Sequence, residues 1–200
     1  MRLNFKKDFL LVTAMLVAAG CSDSMTGENN PEQQVPIAFG TQVATRAVVE
    51  SDKEGMDNFT LWGWVRESDG PKLFFDAASV TPSGNYGEKR FWAVGRPYDF
   101  YAVHPEEMKE IGVATEVSCN DKGELRVTGF DSSGMGKDAV DLMTATETDV
   151  TYEGGGTMAP VLLAFKHELA QVKLTVRTGE KQAEVSDIRL FGVDYKGDLL

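Results

Sequence analysis

Apolar residues fall into two patterns along this chain. The first is a single run at the start. Residues 9–19 are apolar except for Thr13, and they follow a basic stretch that holds Arg2, Lys6 and Lys7. The run falls short of the ~18 residues that cross a bilayer, and Ala18-Ala19-Gly20 leads from it into Cys21. A basic start, a short apolar core and a small-residue step together predict an export signal. The second pattern begins at Pro36 and is alternation in short segments. Residues 37–43, IAFGTQV, alternate apolar and polar. Residues 58–66, NFTLWGWVR, put Phe59, Leu61, Gly63 and Val65 on one face and Thr60, Trp62 and Trp64 on the other, because successive strand side chains point to opposite sides.

Further strands are predicted at residues 72–75, 90–94, 98–103, 113–118, 124–127, 139–145, 161–165, 168–176 and 188–193. Asn120-Asp121-Lys122-Gly123 suits a hairpin loop, Pro105 stops the strand before it, and Gly154-Gly155-Gly156 marks another loop. His167 falls in an expected turn, as a surface or cap residue. Residues 105–111 read as one short helical turn. Many strands without a sustained 3.6-residue period predict an all-β sandwich. Lys196-Gly197-Asp198-Leu199-Leu200 reads as the middle of a hairpin, which predicts a truncated start of a second domain. The expected organisation is a signal peptide over 1–20, a flexible linker over 21–35, a β-sandwich over 36–180 and final strands over 181–200.

Composition narrows the functional classes. The formal net charge is -11, and loss of the basic leader makes the remainder more acidic still. Phosphate binding needs a basic face, so a general nucleic-acid role is excluded. The chain has two cysteines. If Cys21 carries lipid, Cys119 has no partner for a disulfide and reads as a partly buried, inert strand residue. The polar stretch 22–35 reads as a linker, and Asp23-Ser24-Met25 resembles a short bacterial O-glycosylation sequon.

No constellation for catalysis emerges. His104 and His167 have no second ligand-type residue at metal spacing, and there is no Gly-x-Ser-x-Gly elbow. Gly134-Met135-Gly136-Lys137-Asp138 fails as a phosphate loop, because Asp stands where Ser or Thr must reach the metal. No enzyme activity, cofactor or metal is expected. Trp62, Trp64 and Trp92 allow two readings, core filler or a stacking platform for sugars; the second makes a glycan-binding surface lipoprotein the alternative function.

Two resemblances sharpen this picture. Ala18-Ala19-Gly20-Cys21 is similar to a lipobox, with Ala18 where Leu is usual. That implies lipidation of Cys21 and a membrane anchor, the alternative being ordinary cleavage with a free thiol. The mature chain resembles the Mfa-like fimbrillin family of Bacteroides-type bacteria. Four segments carry the likeness: Ile37-Ala38-Phe39 followed by Ala44-Thr45-Arg46-Ala47; Tyr98-Asp99-Phe100-Tyr101-Ala102-Val103-His104-Pro105; Asp141-Leu142-Met143-Thr144-Ala145; and Phe165-Lys166-His167-Glu168-Leu169-Ala170-Gln171-Val172. The resemblance implies a transthyretin-like Greek-key sandwich and a fimbrial lipoprotein of the cell outer membrane. It also implies polymerisation by strand exchange. In relatives an Arg-specific protease cuts after an N-terminal arginine and a neighbour's strand replaces the first strand. Arg46-Ala47 is the matching bond here, and Ile37, Phe39 and Val43 belong to the strand that would leave. The implied partners are a membrane, other fimbrial subunits, and a host protein or glycan.

Overall fold

The computed structural model describes residues 34–43, 56–134, 139–170 and 191–200, together with 177, 179, 184, 188 and 189. The described residues contain nine strands and no helix: β1 Phe39–Val43, β2 Phe59–Glu67, β3 Gly70–Val80, β4 Pro97–His104, β5 Glu116–Cys119, β6 Leu125–Asp131, β7 Met143–Thr151, β8 Val161–His167 and β9 Lys196–Leu199. They form two sheets in a sandwich-like arrangement. One has six strands in the order β1-β8-β7-β4-β2-β3, the other three in the order β5-β6-β9.

The two faces of β2 explain how the sheets meet. Phe59, Leu61 and Val65 enter one apolar core with Phe75, Tyr98, Phe100, Leu163 and Phe165. Trp62 and Trp64 enter a second core, with Val103, Met108, Val127, Phe130 and Leu142. The second core joins the six-stranded sheet to β6 of the smaller one. The first lies on the opposite face, where the large sheet curls over itself. Phe39 of one edge strand reaches Phe75 of the other, with ring centroids 5.6 Å apart. Sheets curl when twist accumulates and bulges bend the strands. Here β3 bulges against β2 between Leu61 and Gly63, and Ala77 on β3 takes a φ of 44°.

Several expectations shift. β3 and β7 run further than their apolar patterns, to Val80 and Thr151. Residues 90–94 form no strand; Phe91 makes a single bridge to Pro36 within the β3–β4 connection. Of residues 188–193, Ile188, Arg189, Phe191, Gly192 and Val193 are described and none is in a strand. The strand is instead Lys196–Leu199, which pairs with β6. Residues 106–112 form turns rather than a helix, although the Ile111 amide bonds the Glu107 carbonyl as one helical turn would. His167 ends β8 instead of lying in a turn, opposite Met143, and its Nδ1 is 2.8 Å from Asp141 Oδ2. Of the strand expected over 168–176, residues 171–176 lie outside the described residues.

β7 and β8 pair through only two residue pairs, Met143↔His167 and Thr144↔Lys166. Beyond them β7 follows β4 and β8 follows β1. This divergence places β1 on a short layer of its own with β8, over the aromatic core.

Candidate functional site

The segment 37–43 alternates because one side of it is inside the protein. Ile37 and Phe39 are 2% and 4% exposed, Val43 is half-buried and Gln42 is exposed. β1 runs parallel to β8 in the register Phe39↔Val161 to Val43↔Phe165, and the Val161 amide donates to the Ala38 carbonyl at 2.8 Å. Paired residues of a parallel ladder share a face, so Phe39 and Val43 point the same way as the buried Val161, Leu163 and Phe165. The Phe39 ring meets Phe75, Tyr86 and Phe100 edge-on, with centroids 5.2–5.6 Å apart. Edge-to-face contacts of this kind add to simple burial.

The other side of β1 is met by the β3–β4 connection, residues 81–96. The Ile37 amide donates to the Arg90 carbonyl at 2.8 Å, and the Trp92 amide donates to the Val35 carbonyl at 3.0 Å. Tyr86 Oη donates to the Ile37 carbonyl at 2.7 Å. The segment from Val35 to Val43 therefore sits in a groove. Its floor is the aromatic core, one wall is β8, and the other wall is the connection.

The structure brings Ile37, Phe39 and Val43 together in this groove. Cys21, Arg46 and Ala47 lie outside the described residues. Alternation located the strand, but no signal in the sequence marked Gly84, Tyr86 and Arg90 as its wall. Gly84 and Tyr86 fall in a stretch of turn-forming residues that pattern alone assigns to a loop, and Arg90 opens the run 90–94 that pattern assigns to a strand.

The tryptophans are not a sugar platform. Trp62, Trp64 and Trp92 are 4%, 5% and 7% exposed, and Trp92 packs edge-on against Tyr98 at 4.9 Å. The core-filler reading is the correct one. Cys119 is half-buried, and burial pushes its thiol up to about 12, so it stays protonated and unreactive near neutral pH. No group of His, Cys, Asp and Glu among the described residues is arranged to hold a metal ion.

A family described as fimbrillin-like matches residues 45–199. The chain belongs to the fimbrillin-like family. This fimbrillin-like chain is also 29% identical, over 191 aligned positions, to the fimbrium subunit Fim1C of Phocaeicola vulgatus. The alignment covers 83% of the chain and 50% of that protein, so the chain spans about half the length of the curated relative it matches. No solved structure matches. The family match opens at residue 45, just after β1 ends at Val43. Among the described residues, the second and third segments that suggested the family, and the start of the fourth, supply core positions. Tyr98, Phe100 and Ala102 of β4 are 0–1% exposed, and Leu142, Met143, Ala145 and Phe165 are buried.

Proposed function

We propose that this chain is a structural or adhesive subunit of fimbriae, assembled by exchange of its first strand and carried to the outer membrane as a lipoprotein. One observation carries the reading. β1 is an edge strand of the six-stranded sheet whose apolar side chains plug a groove, and it precedes the rest of the fold in sequence. A strand in that position leaves without any other strand having to be threaded out. Once it leaves, β8 presents backbone groups and apolar side chains to a replacement, the chemistry of β-strand addition. Family membership and the likeness to a fimbrium subunit support a structural role rather than catalysis. The lipobox-like step into Cys21 and the basic leader support export and anchoring.

Limited digestion with an Arg-specific protease tests the reading. Arg66 and Arg126 lie in strands, and Arg66 is held by two aspartates. Arg90 and Arg96 are exposed positions of the β3–β4 connection and are the main competitors. Cleavage first at Arg46, followed by oligomers or by uptake of a donor peptide, is the expected result. First cleavage at an inner arginine, or a cut chain that stays monomeric and ignores such peptides, sinks it. Anchoring is tested separately. Cys21→Ser is expected to leave an unprocessed precursor that takes up no labelled palmitate, and equal labelling of mutant and wild type refutes lipidation.

A further inference from the structure

The wall of the groove opposite β8 is more than a loop lying nearby. Residues 81–96 hold residues 35–41 by four hydrogen bonds, three of them at Val35 and Ile37 just ahead of β1 and one at Thr41 within it. Two are backbone bonds, at Val35 and Ile37. Tyr86 Oη bonds the Ile37 carbonyl, and Thr41 Oγ1 donates to the Pro82 carbonyl at 3.2 Å. Two contacts set how closely the connection lies. Gly84 has a φ of +82°, and a Cβ there would stand 2.2 Å from the Phe39 carbonyl oxygen, so only glycine permits the approach. The Arg90 guanidinium lies 5.2 Å from the ring centroids of both Phe74 and Phe75, which ties the connection back to β3. Tyr86 links both ends of this arrangement. Its ring packs on Phe39 and Phe75, while its hydroxyl bonds Ile37 and accepts the Arg90 amide at 3.3 Å.

We infer that residues 81–96 form a strap that locks the first strand in its groove and sets how readily that strand is released. This rests on the reading that β1 is exchanged. β8 alone holds β1 by one short ladder, whereas the closed strap also ties down the residues leading into β1, at Val35 and Ile37, and the Thr41 side chain within it. Release then requires the strap to lift first, and the strap's own contacts regulate assembly.

Hydrogen–deuterium exchange on the intact full chain tests the inference, because exchange reads local opening separately from global unfolding. Three variants are compared with wild type. Tyr86→Phe keeps the ring and removes the hydroxyl's bonds to the Ile37 carbonyl and the Arg90 amide. Gly84→Ala pushes the strap off the Phe39 carbonyl. Gly87→Ala also sits at positive φ, +83°, but its Cβ meets nothing within 4 Å, so it controls for backbone strain alone. Exchange over residues 35–43 is expected to quicken about 5- to 10-fold in Tyr86→Phe, the loss of the one hydroxyl bond that reaches this segment, and further in Gly84→Ala. β4 and β7 are expected to keep wild-type rates, and Gly87→Ala to match wild type over 35–43. Unchanged protection of 35–43 in Tyr86→Phe overturns the strap. So does equal quickening in β2, β4 and β7, or a Gly87→Ala effect as large as that of Gly84→Ala. Should Gly84→Ala fail to fold, Tyr86→Phe decides alone. Strand exchange is read independently, by uptake of a labelled peptide of residues 35–46 after cleavage at Arg46. Absence of uptake with the exchange pattern intact removes the assembly reading and leaves the strap standing.

Discussion

Single residues explain why β2 reads so clearly and what its pattern conceals. The segment NFTLWGWVR is apolar on both faces because both faces are buried, Phe59 and Leu61 in one core and Trp62 and Trp64 in the other. The division into two faces was legible from alternation, while burial of the tryptophan face was one of two open readings. The reason for glycine at position 63 was not. A Cβ there would stand 3.0 Å from both the Phe100 and Phe75 rings, a crowding that depends on β3 and β4. Gly63→Ala is expected to destabilise the fold by about 1–3 kcal/mol through overpacking, read as a lower urea midpoint. Trp62→Ala and Trp64→Ala are each expected to cost about 3–5 kcal/mol. Wild-type urea curves for both tryptophan variants would contradict their burial.

Between elements, the parts hardest to read are those held by ladders and charges instead of apolar contact. β7 continues past Ala145 as Thr-Glu-Thr-Asp-Val-Thr, a polar run that carries no alternation signal. Its place is set by pairing with β4 and by a charged staple. Arg66 of β2 donates from Nε and Nη2 to both oxygens of Asp99 on β4, at 2.7 and 2.6 Å, and also pairs with Asp149 on β7. The Asp149 amide donates to Asp99 Oδ1 at 2.9 Å, where Asp149 takes a φ of 60° beside the bulge in the β4–β7 ladder. Asp99 is 8% exposed, and Asp99→Ala removes both of its bonds to the Arg66 guanidinium and leaves the Asp149 amide without this acceptor. A loss of about 1–3 kcal/mol is expected, with faster exchange at the amide of residue 149 as the local readout. A second charged link joins β6 to β9, where Lys196 Nζ lies 3.0 Å from Asp131 Oδ2. Hydrogen bonds from Ser133, and then Lys196, hold the Asp131 carboxyl down at about 2, from 3.8. A depressed carboxylate contributes stability above its unfolded value, and the contribution is lost as pH falls through the folded one. Protection of β9 amides is therefore expected to hold above about pH 4 and to fall between pH 4 and 2. Asp131→Asn is expected to flatten that profile; an unchanged profile in the variant would assign the pH response to other groups.

Over the whole molecule, the question is whether the fold survives without its first strand, since exchange requires a cut chain that is destabilised but not unfolded. The transfer value of a buried Ile or Phe side chain is about 1.5–3 kcal/mol, so removing Ile37 and Phe39 costs about 3–6 kcal/mol before any relaxation. A domain of this size is stable by about 5–15 kcal/mol. The two ranges overlap only at their edge, and the second core, with Trp62, Trp64, Val127 and Phe130, holds no β1 residue. The cut chain is therefore expected to stay folded while exposing Val161, Leu163, Phe165 and the rings around the vacated Phe39 position. It should unfold at a lower urea midpoint than the intact chain, by an amount equivalent to about 3–6 kcal/mol, and bind a hydrophobic dye that the intact chain does not. A peptide of residues 35–46 should restore the midpoint and displace the dye. The same peptide with Phe39→Ala should restore markedly less, because it leaves empty the space between Phe75, Tyr86 and Phe100. Equal rescue by the two peptides would mean that backbone pairing with β8, and not the apolar groove, selects the incoming strand; no rescue by either would end the case for exchange at this site.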